Sequence, residues 1–371
     1  MSLAEAAAPS DGLLTAQDET EALERLHRLG CTDGLPVVIP TPERVTSLVI
    51  ATGLDAGLEL GVMGPGGGSA TVEKLAAAAV MAGCLAEHMP VYIGAVEAIL
   101  DERFDCTEMQ ATTFGSAPLI LVNGPARHAC GPLASGFGAL GPGNRANASI
   151  GRALRLAMIN IGGGRAGESD MTLLGHPGKF TYCLAEDEES SPFEPLHVAL
   201  GFEADESVAT VIGAEAPTSA ISIVDADDPE SAPRLMRSIA ASLTHPGTNN
   251  AILRGGAAVV ILNPDHAQIL ADSGWDRRRI QEELVDLCTY APSHYAPYVS
   301  ASASLTGPLA PKGVGDERTI ACFSSPDDLL VLVAGGGGLY TTVMSSWCAG
   351  PHRNRAVSVA LRLGEACEIP T

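Results

Sequence analysis

The chain has 371 residues, 46% of them apolar, and a formal net charge of −22. That length and apolar content allow one large buried core or two smaller ones, while the charge excludes the basic face needed by a nucleic-acid partner or an anionic membrane surface. Aromatic residues make up only 4%, so the core must be built from small and aliphatic side chains that let helices approach closely.

Residues 1–18, opening MSLAEAAAPSDG, lack the basic and apolar regions of a signal peptide and read as a flexible tail. A helix is predicted over TEALERLHRLG, with Thr20 as N-cap and Gly30 as its stop. CTDGLPVVIPTPERV then gives a turn, a short strand over 35–39, and a helix capped by Thr41 with Pro42 at its first position. Glycine loops feed two alanine-rich helices, in GPGGGSATVEKLAAAAVMAGC and GPGNRANASIGRALRLAMINIGGG; VYIGAVEAILD adds a helix and APLILVNGP a buried strand. The two glycine-loop helices echo each other, but identity beyond the glycines is slight, and they read as independent turns.

After residue 200 the texture changes. Strands VATVIGA and AISIVDA precede a helix near 231–243. AAVVILNPDHAQILADSG is a strand, a turn and a helix, WDRRRIQEELVDLC a helix opening at Asp276, and DLLVLVAGGGGLYTTVMSSW a strand, a tetraglycine and a helix. Strands alternating with helices predict an α/β fold with a mostly parallel sheet and glycine-rich strand-to-helix loops, in two lobes over 19–203 and 204–371.

The nine cysteines (Cys31, Cys84, Cys106, Cys130, Cys183, Cys288, Cys322, Cys348 and Cys367) are odd in number and form no CxxC. They read as reduced thiols of a cytoplasmic protein, most of them packed as small core residues. No apolar run is long enough to span a bilayer. The apolar, alanine-rich helices point to a homodimer.

Candidate chemistry comes from three places. Glycine loops that enter helices expose backbone N–H groups at the positive end of the helix dipole, which suits an anion. The loop over 141–147 adds the donors Asn144, Arg145 and Asn147, and the tetraglycine Gly335, Gly336, Gly337 and Gly338 follows a strongly apolar strand, where open α/β sheets bind ligands. The stretch GHPGKFTYCLAEDEESSPFEPLH is the richest in reactive groups. Read as a strand, KFTYCLA puts Lys179, Thr181 and Cys183 on one face, with Lys179 and Cys183 roughly 13 Å apart. His176 precedes it and Glu186 follows, while EDEESSP alone reads as a solvated acidic loop. Cys183 or Cys31 is then the nucleophile, Lys179 an alternative reactive group, His176 or Glu186 the proton carrier, and Lys74 a further cation on the alanine helix. GFGALG matches GxGxxG but neither follows a strand nor opens a helix, so no nicotinamide or flavin cofactor is expected. Nothing in the spacing establishes a metal site.

CTDGLPVVIPTPERV, TVEKLAAAAVMAGC, GPGNRANASIGRAL and GHPGKFTYCLAEDEESSPFEPLH together resemble the bacterial CTDGLP proteins, which are related to or found with proteins carrying a UGSC motif, U being selenocysteine. The resemblance runs from about residue 30 to the C-terminus. It implies thiol-dependent chemistry on a small organic molecule. This chain has no UGSC or CGSC tetrad; SSWCAGPH around Cys348 is not a match. The expectation is therefore a lyase or thiol-dependent oxidoreductase acting on a small anionic molecule, or a non-catalytic subunit whose UGSC partner supplies the reactive residue, or a ligand-binding protein.

Overall fold

The computed structural model describes residues 13–295, 297–298 and 319–364. Cys367 and most of the expected tail lie outside them. The first part of the chain runs α1 (Glu19–Arg28), α2 (Pro42–Thr52), β1 (Glu59–Met63), β2 (Gly68–Thr71), α3 (Val72–Ala82), α4 (Met89–Leu100), α5 (Cys106–Ala111), β3 (Ala117–Asn123), α6 (Ala126–Ala129), α7 (Arg145–Asn160), β4 (Cys183–Ala185) and α8 (Leu196–Ala199). The remainder runs β5 (Val208–Ala214), β6 (Thr218–Ile221), α9 (Ser231–Leu243), α10 (Asn249–Ile252), β7 (Ala258–Leu262), α11 (Pro264–Asp272), α12 (Arg277–Leu287), β8 (Thr289–Tyr290), α13 (Pro292–Tyr295), β9 (Ile320–Ala321), β10 (Leu329–Val333), β11 (Tyr340–Ser345) and β12 (Val357–Ala360).

The caps follow local chemistry. Thr41 accepts from Arg44 N and Pro42 opens α2, as expected. Helix α1 starts two residues earlier than expected, because Asp18, not Thr20, is the N-cap and accepts from Glu21 N. The segment 35–39 is extended without becoming a strand; Val38 N donates to Met81 O.

Two four-stranded sheets organise the molecule, in the orders β12-β5-β3-β4 and β10-β7-β11-β6. The α/β class holds, but each sheet is mixed. Only β3/β4 and β7/β10 are parallel, and the other neighbours run antiparallel. The sheets pack face to face. Leu119, Leu121 and Ile212 of one meet Val259, Ile261, Leu330 and Leu332 of the other in a shared core. The alternate residues point outward to helices: Ile120, Val122 and Val211 to α3, α4 and α7, and Val260, Leu262, Val331 and Val333 to α9, α11 and α12. The layers are thus helix, sheet, sheet, helix. Strands covered on both faces need continuous apolar runs, which is why LILV and AVVIL read as they do.

The topology repeats. In the first pass β3 pairs parallel with β4 and antiparallel with β5, and β6 leaves for the other sheet; in the second, β7 pairs parallel with β10 and antiparallel with β11, and β12 crosses back. Each sheet therefore borrows its outermost strand from the other pass. The boundary expected at residue 203 falls between β4 and β5, which both neighbour strands of the same sheet. The helix expected after the tetraglycine is strand β11, paired with β7 and β6; its Thr-Thr-Val run favours a pleated surface.

Candidate functional site

The stretch over 175–197 divides in two. Its first half turns instead of extending. Pro177–Lys179 is a single 3-10 turn, with Lys179 N bonded to His176 O and Phe180 N to Pro177 O, and the strand covers only Cys183–Ala185. Lys179, Thr181 and Cys183 therefore do not share a strand face. Lys179 Nζ donates to Asp170 Oδ1 at 3.0 Å, Thr172 Oγ1 at 2.8 Å and Ser116 O at 3.3 Å. Burial, then Arg155, draws its ammonium below its usual range, against the pull of Asp170. Asp170 also accepts from Arg155 at 2.6 Å; although burial pushes its carboxyl up, Arg155 and Lys179 outweigh that and hold it at about 2. Lys179 is thus a tie between this turn, the 165–172 loop and the start of β3, with its donors spent. Thr181 donates to Ala148 O at 2.8 Å, on α7. His176 accepts from Gly178 N and packs edge-on against Tyr182; burial lowers its proton affinity.

Burial disfavours the thiolate at six of the described cysteines. Cys183 is 2% exposed among the helix-side core residues, and burial pushes its thiol well up. Cys84, Cys106, Cys288 and Cys348 are each pushed up to about 12 by burial. Cys31 is half-buried, and burial raises it too, against the opposing charge of Arg165. Its loop is a fastening onto α7: Arg152 grips Asp33 at 2.7 and 2.9 Å, Asn160 Nδ2 donates to Cys31 O at 2.9 Å, and Arg165 donates to Gly30 O at 3.0 Å.

The expected anion loops are dispersed. Asn144 donates to Gly138 O and leaves α7 without a side-chain cap. Arg145 donates to Gly83 O and lines a cleft of about 450 Å³ with Arg44 and Glu43. Asn147 is buried and spends its amide on Ala134, Ala139 O and Cys183 O. Lys74 is exposed and bonds Ser69 O. The tetraglycine feeds a strand, so it opens no helix. Gly335 N donates to Ser135 O, Gly336 lies under the Phe137 ring, Gly337 faces Asp265, and Gly338 O accepts from Asn263.

The second half of the stretch builds a site. Val122 pairs with Ala185 in the parallel β3/β4 ladder, so the strands end side by side on Asn123 and Glu186, the edge where α/β sheets carry ligands. Glu186 has no exposed surface. Its Oε2 accepts from Asn123 Nδ2 at 2.5 Å and Leu196 N at 2.7 Å, and its Oε1 lies 3.3 Å from Arg277 Nη2. Asn123 Nδ2 is shared with Glu188 Oε1 at 3.1 Å, which also accepts from Gly124 N at 2.7 Å. Arg127 ties Glu188 at 2.9 Å and grips Glu189 through two bonds of 2.7 and 2.9 Å. His197 Nδ1 stands 4.0 Å from Glu188 Oε1.

The charges differ in character across this cluster. Burial raises the proton affinity of Glu186, and Glu188 adds to it, against Arg277, the Leu196 N–H and Asn123. Glu189, at the rim, is held at about 2, mainly by its bonds to Arg127. Burial pulls Arg277 down, with Glu186 and Glu194 opposing. Several buried atoms here find no partner: Asn123 Oδ1, both ring nitrogens of His197, and Nε and Nη1 of Arg277. Buried polar groups are normally bonded, so these atoms, near Glu186 and Glu188, keep hydrogen-bonding capacity to spare. Arg277 also forms a wall of a hollow of about 420 Å³ between the 186–194 loop and α12, with Phe193, Glu194, Trp275, Asp276 and Arg278.

The EDEESSP run is thus not a uniformly solvated loop, since Glu186 and Glu188 turn inward. Sequence reasoning missed Asn123, Arg127, Glu188, His197 and Arg277. The available signals were Asn-Gly-Pro at the end of a buried strand and an arginine run opening an amphipathic helix. No family model, curated protein or solved structure matches the chain. Among the described residues no group of three or more His, Cys, Asp or Glu side chains is arranged to hold a metal ion, and no helix is long and apolar enough to cross a membrane.

Proposed function

We propose that the chain is an enzyme that makes or breaks a carbon–heteroatom bond in a small organic molecule by acid–base chemistry, with Glu186 as the proton carrier. One observation carries this reading. A fully buried carboxylate with raised proton affinity sits at the end of the parallel strand pair, gripped by Asn123 and Arg277, each of which keeps unpartnered polar atoms. Carboxylates tuned this way by burial against a specific charge are characteristic of proton-transfer sites. In the cleavage direction Glu186 takes a proton from the substrate carbon, the carbon–heteroatom bond breaks, and the leaving group departs with that electron pair. Glu188, sharing Asn123 with it, sets the local negative charge. A cytoplasmic setting is part of this proposal, supported by an odd number of cysteines with no CxxC in the sequence.

This reading moves the chemistry from the thiols to a carboxylate, because every described thiol with a shift is shifted away from the reactive thiolate. The test is a screen of small organic acids for depletion by the wild-type chain, with Glu186→Gln and Cys31→Ser run in parallel. The expected result is a compound whose depletion slows at least about a hundredfold in Glu186→Gln, the scale of a positioned acid–base group, and is unchanged in Cys31→Ser. Loss in Cys31→Ser with Glu186→Gln intact would return the chemistry to the thiol. Depletion that needs an added UGSC protein would make this chain the partner subunit.

A further inference from the structure

We infer that the hollow at the start of α12 is the receptor for a substrate carboxylate, held by Arg277, and that its occupation drives a proton onto Glu186. The inference rests on the acid–base reading above and supplies what that reading lacks, a recognition element.

Three observations converge. First, α12 is an 11-residue helix whose N-cap Asp276 is spent on Arg279 N. The N–H groups of Arg277 and Arg278, in its first turn, have no partner within the helix and face the positive end of its dipole. Second, Arg277 is 5% exposed, and of its guanidinium nitrogens only Nη2 finds a partner, Glu186. A guanidinium taken out of water with Nε and Nη1 unbonded is costly unless an acceptor arrives; both atoms are buried, so a carboxylate in the hollow meets them by a turn of the Arg277 side chain. Third, the same residue walls a hollow of about 420 Å³ open to solvent, large enough for a small organic acid.

The surroundings select a monoanion. Glu194 and Asp276 line the hollow and Glu186 lies behind Arg277, while Arg278 is already engaged by Glu282 and Asp327. A dianionic phosphate would face these carboxylates with one guanidinium already paired to Glu186, whereas a single carboxylate charge is matched by Arg277 once Glu186 takes up a proton. The apolar wall of Phe193 and Trp275 suits the hydrocarbon part of the same molecule.

Coupling follows from the shared arginine. The groups that bear on Glu186 are Arg277 on α12, Asn123 at the end of β3, the Leu196 N–H on α8, Glu188 in the loop, Arg127 on α6 and His197 beside Glu188. Only Arg277 also reaches the hollow. A carboxylate bound there takes part of the positive field that keeps Glu186 ionised, so the proton affinity of Glu186 rises on binding. Substrate binding thus prepares Glu186 for the bond-forming direction, the reverse of the cleavage step above, in which its proton goes to the substrate carbon as the heteroatom adds with its electron pair.

The experiment is calorimetric titration near pH 6 with acetate, benzoate and acetamide, each in two buffers of different ionisation enthalpy, with benzoate and inorganic phosphate also compared at pH 8, where phosphate is mostly the dianion. Acetate or benzoate is expected to bind with proton uptake, acetamide not at all, and phosphate at least tenfold more weakly. The double variant Glu186→Gln/Arg277→Met leaves no lone buried charge and should lose benzoate binding at least tenfold. Glu186→Gln alone should keep binding and lose the proton uptake, and Glu194→Gln should tighten binding several-fold. Equal binding of benzoate by wild type and the double variant would overturn the site. Binding without proton uptake would overturn the coupling. Phosphate binding more tightly than benzoate would overturn the carboxylate assignment. A carboxylate that binds here while turnover survives in Glu186→Gln would refute the acid–base reading and leave this receptor standing.

Discussion

Removing Arg277 should destabilise the protein in a way that depends on pH and is repaired by removing Glu186. Arg277 and Glu186 are 5% and 0% exposed at the side chain and 3.3 Å apart, so the pair is buried on both sides. Arg277→Met leaves Glu186 as a buried carboxylate with no cation of its own, since Arg127 reaches only its main-chain oxygen, at 3.3 Å. Losing one partner of a buried pair costs about 3–5 kcal/mol. At about 2 °C per kcal/mol for a chain of this size, Tm should fall by about 6–10 °C near pH 7. The deficit should shrink on acidification, because a neutral Glu186 no longer needs the cation. Glu186→Gln/Arg277→Met should recover most of the loss, since well-packed neutral groups replace a buried pair at little cost. The assay is thermal unfolding of the wild type, both single variants and the double variant between pH 5 and 8. Additive losses in the double variant, or a deficit independent of pH, would refute the claim that these two groups form a coupled buried pair.

Stability should carry two opposite pH signatures. Glu186 binds its proton more tightly in the folded chain than its usual value of 4.5, so the folded state holds more protons and stability falls as pH rises from about 4.5 through the folded value; Glu186→Gln should remove that slope. Asp170, held at about 2 against 3.8 unfolded, contributes about 2 kcal/mol that is present above pH 4 and lost as pH falls toward 2, measurable by denaturant titration of Asp170→Asn. Lys179→Met should lower Tm by breaking the Asp170 tie, at a cost of about 3 kcal/mol, without the hundredfold turnover loss expected of Glu186→Gln; a selective loss of turnover would restore Lys179 to the reactive centre. Iodoacetamide at pH 7, with the labelled peptides identified by mass, should label Cys31 slowly and the buried described thiols only on unfolding; fast labelling of any of these in the native protein would contradict the raised thiols. A chain cut at residue 203 and expressed as 1–203 should not fold, because β3 would lack β5 and, beyond it, β12; a cooperative unfolding transition in that fragment would contradict the strand exchange.

Individual elements were legible where local chemistry decides them. Thr41-Pro42 set the start of α2 and Asp276 that of α12, and the apolar runs of β3 and β7 announced strands covered on both faces. The exchange of β6 and β12 between sheets was not legible, since pairing across more than a hundred residues leaves no local mark. KFTYCLA failed as a strand because Pro177 and the Lys179–Asp170 tie hold its first residues in a turn. Glu186 stood out as a candidate proton carrier only by its position after an apolar strand. Its partner Arg277 comes from a helix 91 residues away, and no spacing rule links the two. The acidic run concealed the site, since composition could not separate Glu186, which is buried, from Glu189, which stays at the rim.

The most direct test of the account is the titration of Glu186 itself, followed by carboxyl carbon NMR in the wild-type chain with and without benzoate and assigned by comparison with Glu186→Gln. The account predicts a resonance that titrates above 4.5 in the free protein and moves further up when benzoate is bound. A Glu186 that titrates in the ordinary glutamate range and ignores the ligand would contradict it.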